Sequence, residues 1–365
     1  GGDTAIELVI DQGTVATDDV SMPVCEVELE LKHGDVAELF ALARQLDEVG
    51  AVRLGVLSKA QRGFLLMAKS SLGPSKAEPV LLDSGMSPAQ AFVAIAWSCV
   101  RHYRLNEAVL TATGDAGALH QARVALRRLR SAFTLFTPIA ADEHHARLRI
   151  ELRWLAAVLG DARNLDVLIG RAPDPSLLDR LQQERVAAYA AVSDALASVR
   201  ARRLMLDLSE WLTVIQHRQP ADHQDRSVLA FAVDRLERLR KRLKTDGAAF
   251  ARLSDTDRHE VRIEAKKLRY ATEFFTSLFP GKKASRRVER FRSALETFQG
   301  ILGDLNDQTT GNLLLQQFGL GDMVADAGRA PAEHDRLVER QLRPMPTWSR
   351  SRRSGDGPTD EMQSH

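Results

Sequence analysis

Four arginines lie close together in one segment of this sequence, with no acidic residue among them. The segment His120–Arg130 reads H-Q-A-R-V-A-L-R-R-L-R, and no Asp or Glu occurs between His120 and Phe136. On an α-helix, with about 100° per residue, one face would carry the histidine and three of the arginines, namely His120, Arg123, Arg127 and Arg130. Arg128 lies apart from them. A neighbouring face would carry an apolar core stripe of Leu126, Leu129, Phe133 and Phe136.

A second segment repeats this pattern farther along the chain. His259–Arg269 reads H-E-V-R-I-E-A-K-K-L-R, so every basic position of the first segment has a basic counterpart at a constant offset of 139. Its basic face would carry His259, Arg262, Lys266 and Arg269, and Lys267 takes the place of Arg128. Leu159–Asn164 (L-G-D-A-R-N) and Leu302–Asp307 (L-G-D-L-N-D) match at an offset of 143. The similar offsets indicate a tandem duplication of a unit of about 140 residues.

These basic faces suit phosphate chemistry. Like charges at three- and four-residue spacing repel one another by a few tenths of a kcal/mol per pair, so negative charge should come from outside the helix. Arginine binds phosphate oxygens in a bidentate manner, lysine adds a point charge, and histidine donates from either ring nitrogen below a pKa of roughly 6.5. Two such faces related by a twofold axis would line a cleft or pore suited to a linear polyanion. We also expect the converging charges to depress the pKa of the histidines until a ligand arrives.

The same residues could instead have structural roles that involve no ligand. A charged helix face is most often simply solvated, and a histidine at this position can be a buried hydrogen-bonding residue. The arginines could pair with carboxylates of other helices. Because both copies keep the basic positions at identical spacing while the residues between them differ, the sequence favours a shared ligand.

The elements that must position these residues are mostly helices. Ile6–Ile10 and Val24–Lys32 alternate as strands do, and Asp35 fits the N-cap of a helix that runs through Val49. A linker is predicted at Leu72–Ser87, where Ser87 and the following proline resemble a helix start. Beyond it apolar residues recur at three- and four-residue spacing, interrupted at Thr113–Gly117, Thr137–Asp142, Gly170–Pro175, Gln219–Asp225, Phe279–Gly281 and Gly303–Asp307. We expect two pseudo-symmetric antiparallel four-helix bundles.

Composition limits the other possibilities. The chain has 365 residues, 27% of them charged, and a net charge of +1, so anion binding must arise from uneven placement of charge. Its two cysteines, Cys25 and Cys99, lie far apart and indicate neither a disulfide framework nor a zinc site. The sequence contains no apolar run of membrane-spanning length and no signal peptide, so a cytoplasmic protein without membrane association is expected.

The repeated motifs resemble those of the CHAD family, the conserved histidine α-helical domains. The matching segments are H-x-x-R-V-x-x-R-R-L-R-S, L-G-D-A-R-N-L-D-V and, in the second copy, H-x-x-R-I-x-x-K-K-L-R-Y with L-G-D-L-N-D. The resemblance covers about residues 87–320 and implies two four-helix bundles around a basic central pore that binds inorganic polyphosphate. It also implies a location on polyphosphate granules.

By position, the resemblance implies a set of polyphosphate-binding residues. These are His120, Arg123, Arg127, Arg128, Arg130, Arg163, His259, Arg262, Lys266, Lys267 and Arg269. Asn164 departs from the family pattern, in which Asp is usual after the arginine of this motif. Arg163 has Asn306 as its counterpart in the second copy, so its contact with the ligand could be one-sided.

The N-terminal stretch 1–82 is similar to the C-terminal part of the CYTH domains found in fused CYTH–CHAD triphosphatases. The matching stretches are I-E-L-V-I-D-Q-G and C-E-V-E-L-E-L-K-H-G-D, with the helix that follows them. The resemblance implies that Glu26, Glu28 and Glu30 are ligands for Mg or Mn, although they could equally form the polar face of a strand. The E-x-E-x-K strand that opens a CYTH tunnel is absent, so we expect no catalysis by this chain and no cofactor for polyphosphate binding.

The sequence therefore predicts three parts and one leading function. A partial CYTH domain is expected at 1–82, a CHAD domain at 87–320 with repeats at 87–218 and 225–320, and an extension at 321–365 that is disordered after 343. The alternatives to polyphosphate binding are a metal-dependent triphosphatase, nucleic-acid binding, and an interaction scaffold whose arginine-bearing tail, Arg343–Arg353, tethers the chain nonspecifically to anions. Aromatic residues are only 5% and the basic stripe contains none, which argues against nucleic acid. No motif specifies the oligomeric state.

Overall fold

The structure is a computed structural model that describes residues 4–68, 73–170, 175–217, 227–247 and 250–317. Within these ranges, side chains are described except at positions 217, 251, 255, 299 and 301–317. The predicted break at Gln219–Asp225 and the tail beyond 317 therefore lie outside the described residues.

The N-terminal part is a two-stranded antiparallel sheet followed by two helices. Strand β1 (Ala5–Ala16) pairs with β2 (Ser21–His33), which confirms the two strands expected from their alternating pattern. Helix α1 (Val36–Val49) begins where predicted, because the Asp35 carboxylate accepts a hydrogen bond from the Ala37 N–H at 2.9 Å. Helix α2 spans Lys59–Met67.

Nine further helices follow in the described part of the chain. They are α3 (Pro88–Thr113), α4 (Ala116–Leu135), α5 (Thr137–Ala140), α6 (Glu143–Ile169), α7 (Pro175–Ala197), α8 (Val199–His217), α9 (Val228–Asp246), α10 (Asp255–Phe275) and α11 (Lys282–Gln317). Two short 3₁₀ turns, Phe250–Arg252 and Thr276–Leu278, precede α10 and α11. None of these helices combines the length and the apolar character that a bilayer crossing requires.

The start of α4 is fixed by local chemistry. Helix α3 ends at Gly114, whose left-handed backbone (φ 66°) suits glycine. The carboxylate of Asp115 then accepts a hydrogen bond from the Ala118 N–H at 2.7 Å and begins α4. The predicted cap of α3 is also confirmed, since Ser87 accepts from Gln90 N–H and Pro88 is the first helical residue.

The predicted helix break at Gly303–Asp307 is wrong. Helix α11 continues without interruption from Lys282 to Gln317. A glycine inside a helix costs about 1 kcal/mol relative to alanine, which the rest of a long helix readily offsets. The predicted linker forms no helix or strand at 73–87, yet Val80 and Leu82 from it are buried against the helices.

One hydrophobic core joins the helices of both sequence repeats. Phe136 of α4 stacks on Phe231 of α9, with ring centroids 4.9 Å apart, and lies 5.9 Å from Phe275 of α10. All four members of the predicted stripe, Leu126, Leu129, Phe133 and Phe136, are buried in this core. Because that face of α4 points inward, its basic face is held at a fixed orientation beside the core.

Candidate functional site

The basic face of α4 lies directly against α10. Arg127 donates from Nε to the hydroxyl oxygen of Tyr270, at 2.7 Å, and its guanidinium carbon lies 5.9 Å from the Tyr270 ring centroid. Tyr270 is itself buried, so this contact forms at the junction of the two helices. The set of residues predicted from the sequence does not include Tyr270, although the second motif contains it as the residue after Arg269.

Lys266 shows that the two basic faces meet. Burial lowers the pKa of its ammonium group to about 7, and the positive charges of Arg262, Arg127, Arg269 and Arg123 contribute to the shift. Two of these arginines belong to α4, and Coulomb repulsion of this kind acts only over short distances inside a protein. The structure therefore brings basic residues of both repeats into one site.

Helix α6 completes the site from the side of the first repeat. Arg123 donates from Nη1 to the Gly160 carbonyl oxygen at 2.8 Å and lies 3.3 Å from Asn164 Oδ1. Its pKa is lowered to about 10, first by burial and then by Arg127 and Arg163, while Asp161 partly opposes the shift. Arg163 has a distant acidic partner, since its Nη1 lies 3.8 Å from Asp166 Oδ2.

The two histidines differ in their environment. His120 is half-buried, and its pKa is lowered first by burial and then by Arg163, Arg127 and Arg123. This direction is the one expected from converging positive charge. His259, its counterpart in the second repeat, is exposed. His120 is therefore the more enclosed of the two matched histidines.

Two of the predicted residues are neutralised within the protein. Arg128 is only 1% exposed, and its Nη2 lies 2.8 Å from Glu273 Oε1 of α10. Lys267 donates from Nζ to Glu264 Oε1 at 2.7 Å. The structure places this pair of matched positions in ion pairs within the fold, away from the site that contains Lys266.

Arg130 and Arg269, the last residues of the two basic segments, differ in their surroundings. Arg130 is exposed, and burial of part of its side chain together with the charges of Arg153 and Arg149 lowers its pKa. Arg269 places its guanidinium carbon 4.5 Å from the Tyr270 ring centroid. Arg149 and Arg153 of α6 were missed by sequence reasoning, because they belong to no repeated motif.

Arg123, Arg127 and Lys266 lie at the centre of the site. Among the described residues, no carboxylate forms an ion pair with Arg123, Arg127 or Lys266. We call these three residues, with His120, Arg262 and Arg269, the central basic site. Positive charges that are half-buried close together repel one another, which disfavours their charged forms.

The carboxylates of the N-terminal sheet form a separate cluster. Ligand oxygens of Asp11, Glu26 and Glu28 lie within 4.8 Å of one another, a donor set that Mg²⁺ or Mn²⁺ accepts. Lys59 Nζ lies 3.0 Å from Glu26 and 2.8 Å from Glu28, and it also contacts Asp11. These contacts raise the pKa of Lys59 and, with Arg62, lower that of Glu26.

Glu30 does not join this cluster. Its Oε2 lies 2.9 Å from Lys32 Nζ, and Lys32 also pairs with Glu7 at 2.6 Å. Of the three glutamates proposed as metal ligands, the structure brings Glu26 and Glu28 together and adds Asp11. The chain's own Lys59 and Arg62 compete with any cation for these oxygens.

Known proteins share both the sequence motifs and the fold. The sequence profile described as CHAD domain matches residues 94–316. The crystal structure of the CHAD domain from the plant Ricinus communis is similar with a TM-score of 0.66 and 30% identity, and covers 75% of this chain and 98% of that one. A structure of PptA from Streptomyces chartreusis is similar with a TM-score of 0.45 and 18% identity, over 73% of this chain and 94% of that one.

One curated relative matches a shorter stretch. The inorganic triphosphatase of Haemophilus influenzae is 37% identical over 67 residues, which make up 18% of this chain and 19% of that protein. This chain therefore matches less than a fifth of that relative's length. The match supports a CYTH-related N-terminal part beside a mostly helical, CHAD-like fold.

Proposed function

This chain belongs to the CHAD domain family, and from that premise we propose that it binds inorganic polyphosphate in a basic pore between two helical bundles. The two bundles would be pseudo-symmetric and antiparallel, with α4 and α10 as equivalent helices. Binding would target the protein to polyphosphate or regulate polyphosphate metabolism. The observation that carries the proposal is the position of Lys266, which is half-buried among arginines of both repeats and forms no ion pair with a carboxylate of the described residues.

The chemistry of the site suits a phosphate chain better than a compact anion. Its cations are spread over two helices, and each phosphate of a linear chain can supply an anionic oxygen to a different cation. Charge-assisted hydrogen bonds from guanidinium to phosphate are roughly twice as strong as neutral ones. The ligand would thus relieve the mutual repulsion of Arg123, Arg127 and Lys266 while it gains these contacts.

The first test compares binding of long-chain polyphosphate by the native protein and two double variants, Arg123→Ala/Arg127→Ala and Arg262→Ala/Lys266→Ala, at several ionic strengths. Each variant should bind at least tenfold more weakly, and its salt dependence should fall by about one unit of slope for each lost contact. A charge-matched control, Arg238→Ala/Lys241→Ala, removes two exposed cations of α9 and should bind as the native protein does.

Folding must be monitored because Arg123 and Arg127 also contact Gly160 and Tyr270. Circular dichroism should show unchanged helix content, and Arg127→Lys should keep most of the affinity by retaining the charge. Loss of binding only in variants that lose helix would mean that these residues are structural. Displacement of polyphosphate by RNA at equal charge concentration would favour nucleic-acid binding instead.

A metal-dependent triphosphatase is the second candidate function. The cluster of Asp11, Glu26 and Glu28 favours it, as does the similarity of part of the chain to an inorganic triphosphatase. The ion pairs of Lys59 with Asp11 and of Arg62 with Glu26 argue against a metal site, because these cations occupy oxygens that the metal would need. Phosphate release from tripolyphosphate with Mg²⁺ or Mn²⁺, lost in Glu26→Gln/Glu28→Gln, would establish this activity; we expect none above background.

A further inference from the structure

The groove between α4 and α6 is held in register at both ends. At one end Arg123 donates to the Gly160 carbonyl. At the other end the Nε2 atom of His145 lies 3.2 Å from the Phe133 carbonyl oxygen, and the Phe133 and His145 rings stack with centroids 5.1 Å apart. These two contacts show that the helices are antiparallel. Arg130 lies on α4 between the two contacts, so it faces the first half of α6.

Two arginines of α6 lie opposite Arg130. They are Arg149 and Arg153, which are one helical turn apart and share a face of α6. Their charges lower the pKa of Arg130, after the larger effect of burial. Glu151, the acidic residue between them, is held at 2.6 and 3.0 Å by Arg200 of α8. Within the described ranges, no carboxylate forms an ion pair with Arg130, Arg149 or Arg153.

The second repeat has different residues at the positions matched to Arg149 and Arg153. At the offset of 143, Arg149 corresponds to Arg292 and Arg153 corresponds to Glu296. Arg292 is paired within α11, at 2.8 Å from Glu289 and 3.8 Å from Glu296. Arg269, the counterpart of Arg130, lies against the Tyr270 ring. At the positions matched to Arg149 and Arg153, the second repeat therefore has a paired arginine and a glutamate instead of two arginines that form no ion pair within the described ranges.

We infer that Arg130, Arg149 and Arg153 form a second phosphate subsite, which continues the central basic site along the α4–α6 groove, so that a long bound chain extends from the central basic site over the first repeat. This inference rests on the proposed function. Arg123 and Arg130 are seven residues apart on one helix, which corresponds to about 10 Å of axial rise. A short oligophosphate fills the central basic site, and a long chain reaches both subsites.

The test uses Arg149→Ala/Arg153→Ala in the full chain, with tripolyphosphate and long-chain polyphosphate as ligands in calorimetric titrations at fixed ionic strength. Long-chain affinity should fall about tenfold and tripolyphosphate affinity should stay within twofold of native. A second variant, Arg153→Glu, introduces the residue type found at this position in the second repeat and should weaken long-chain binding further. The control Arg290→Ala/Arg292→Ala removes the same charge from exposed positions of α11 and should leave both affinities unchanged.

The outcomes separate the two proposals. If the native protein binds neither ligand, the proposed function fails and the second subsite fails with it. If the native protein binds polyphosphate but Arg149→Ala/Arg153→Ala binds long chains as tightly as native, only the second subsite is refuted. An equal loss in the α11 control would also refute it, because the effect would then be one of net charge. Helix content by circular dichroism verifies that the variants remain folded.

Discussion

Lys266 is the residue whose ionisation should respond most strongly to ligand. With a pKa of about 7, a large share of the Lys266 side chains carries a neutral amine near neutral pH. Phosphate oxygens beside it would favour the charged form and raise the pKa toward its ordinary range. Binding of polyphosphate should therefore be coupled to the uptake of a proton by Lys266, and of a further proton by His120 at lower pH.

This coupling predicts that polyphosphate affinity rises as the pH falls from about 9 to 6. Above the free-state pKa of about 7 the lysine must first be protonated, which costs binding free energy, whereas below it the charge is already present. Titration calorimetry in buffers of different ionisation enthalpy should detect proton uptake at pH 8. Lys266→Met should remove most of the pH dependence, and Lys241→Met, at an exposed position of α9, should not. An affinity that is independent of pH in the native protein would contradict the assignment.

At the scale of residues, the sequence predicted which face of a helix a side chain lies on better than it predicted which residue that side chain contacts. A helical wheel correctly places His120, Arg123 and Arg127 on one half-buried face and sets Arg128 apart, because rotation about a helix axis is a local property. It could not identify Glu273 as the partner of Arg128, since that contact depends on how α4 and α10 pack. Asp11 was missed for the same reason: it meets Glu26 through the register of β1 and β2.

At the scale of elements, the sequence correctly predicted the ends of helices where those ends depend on residues close to them in the chain. The caps at Asp35 and Ser87 and the break around Gly114 are confirmed, because each uses a side chain or glycine within three residues of the helix end. The break predicted at Gly303 was wrong because the cost of one glycine, about 1 kcal/mol, is small beside the stability of a helix of 36 residues. The attachment of α1 to α8 had no signal in the sequence, because its ion pairs join residues more than 150 positions apart.

The attachment of α1 to α8 leads to a prediction about hydrogen exchange. Asp47 is buried, accepts from the Val52 N–H at 3.1 Å, and pairs with Arg202 of α8. Removing one partner of a buried pair costs about 3–5 kcal/mol, because the remaining charge is left unpaired. Arg202→Ala should therefore increase amide exchange in α1 and leave α4 and α10 protected, as measured by mass spectrometry.

Arg203 supplies the matched control on the same helix. It pairs with Glu48 at 3.1 Å, and both side chains are about half exposed or more. An exposed pair of this kind contributes at most about 1 kcal/mol, so Arg203→Ala should leave exchange in α1 nearly unchanged. Equal exchange in the two variants would mean that the Asp47–Arg202 pair does not hold α1 in place.

At the scale of the whole molecule, a net charge of +1 conceals a separation of charge. Acidic groups pair with lysines and arginines throughout the N-terminal part and α8, whereas Arg123, Arg127 and Lys266 form no ion pair with a carboxylate of the described residues. The sequence revealed this arrangement only through its duplication, because each helix alone is typical of a solvated surface. The constant offset of 139 between the two motifs identified which two faces should meet.

This separation of charge predicts that salt acts in opposite directions on the free and the bound protein. Without ligand, salt screens the repulsion in the central basic site and should raise the midpoint of thermal unfolding. With polyphosphate at a hundred times its dissociation constant, binding adds about 2.7 kcal/mol to the free energy of unfolding. This raises the midpoint of thermal unfolding by roughly 5–10 °C for a domain of this size, and salt should remove this gain by weakening the complex.

Thermal scans between about 50 and 500 mM salt, chosen around the screening range, measure both effects. Arg123→Ala/Lys266→Ala should lose both, because it removes the repelling charges and the ligand contacts together. If salt stabilised the free variant as much as the free native protein, the stabilisation would come from the rest of the surface. Repulsion within the central basic site would then not explain the effect of salt.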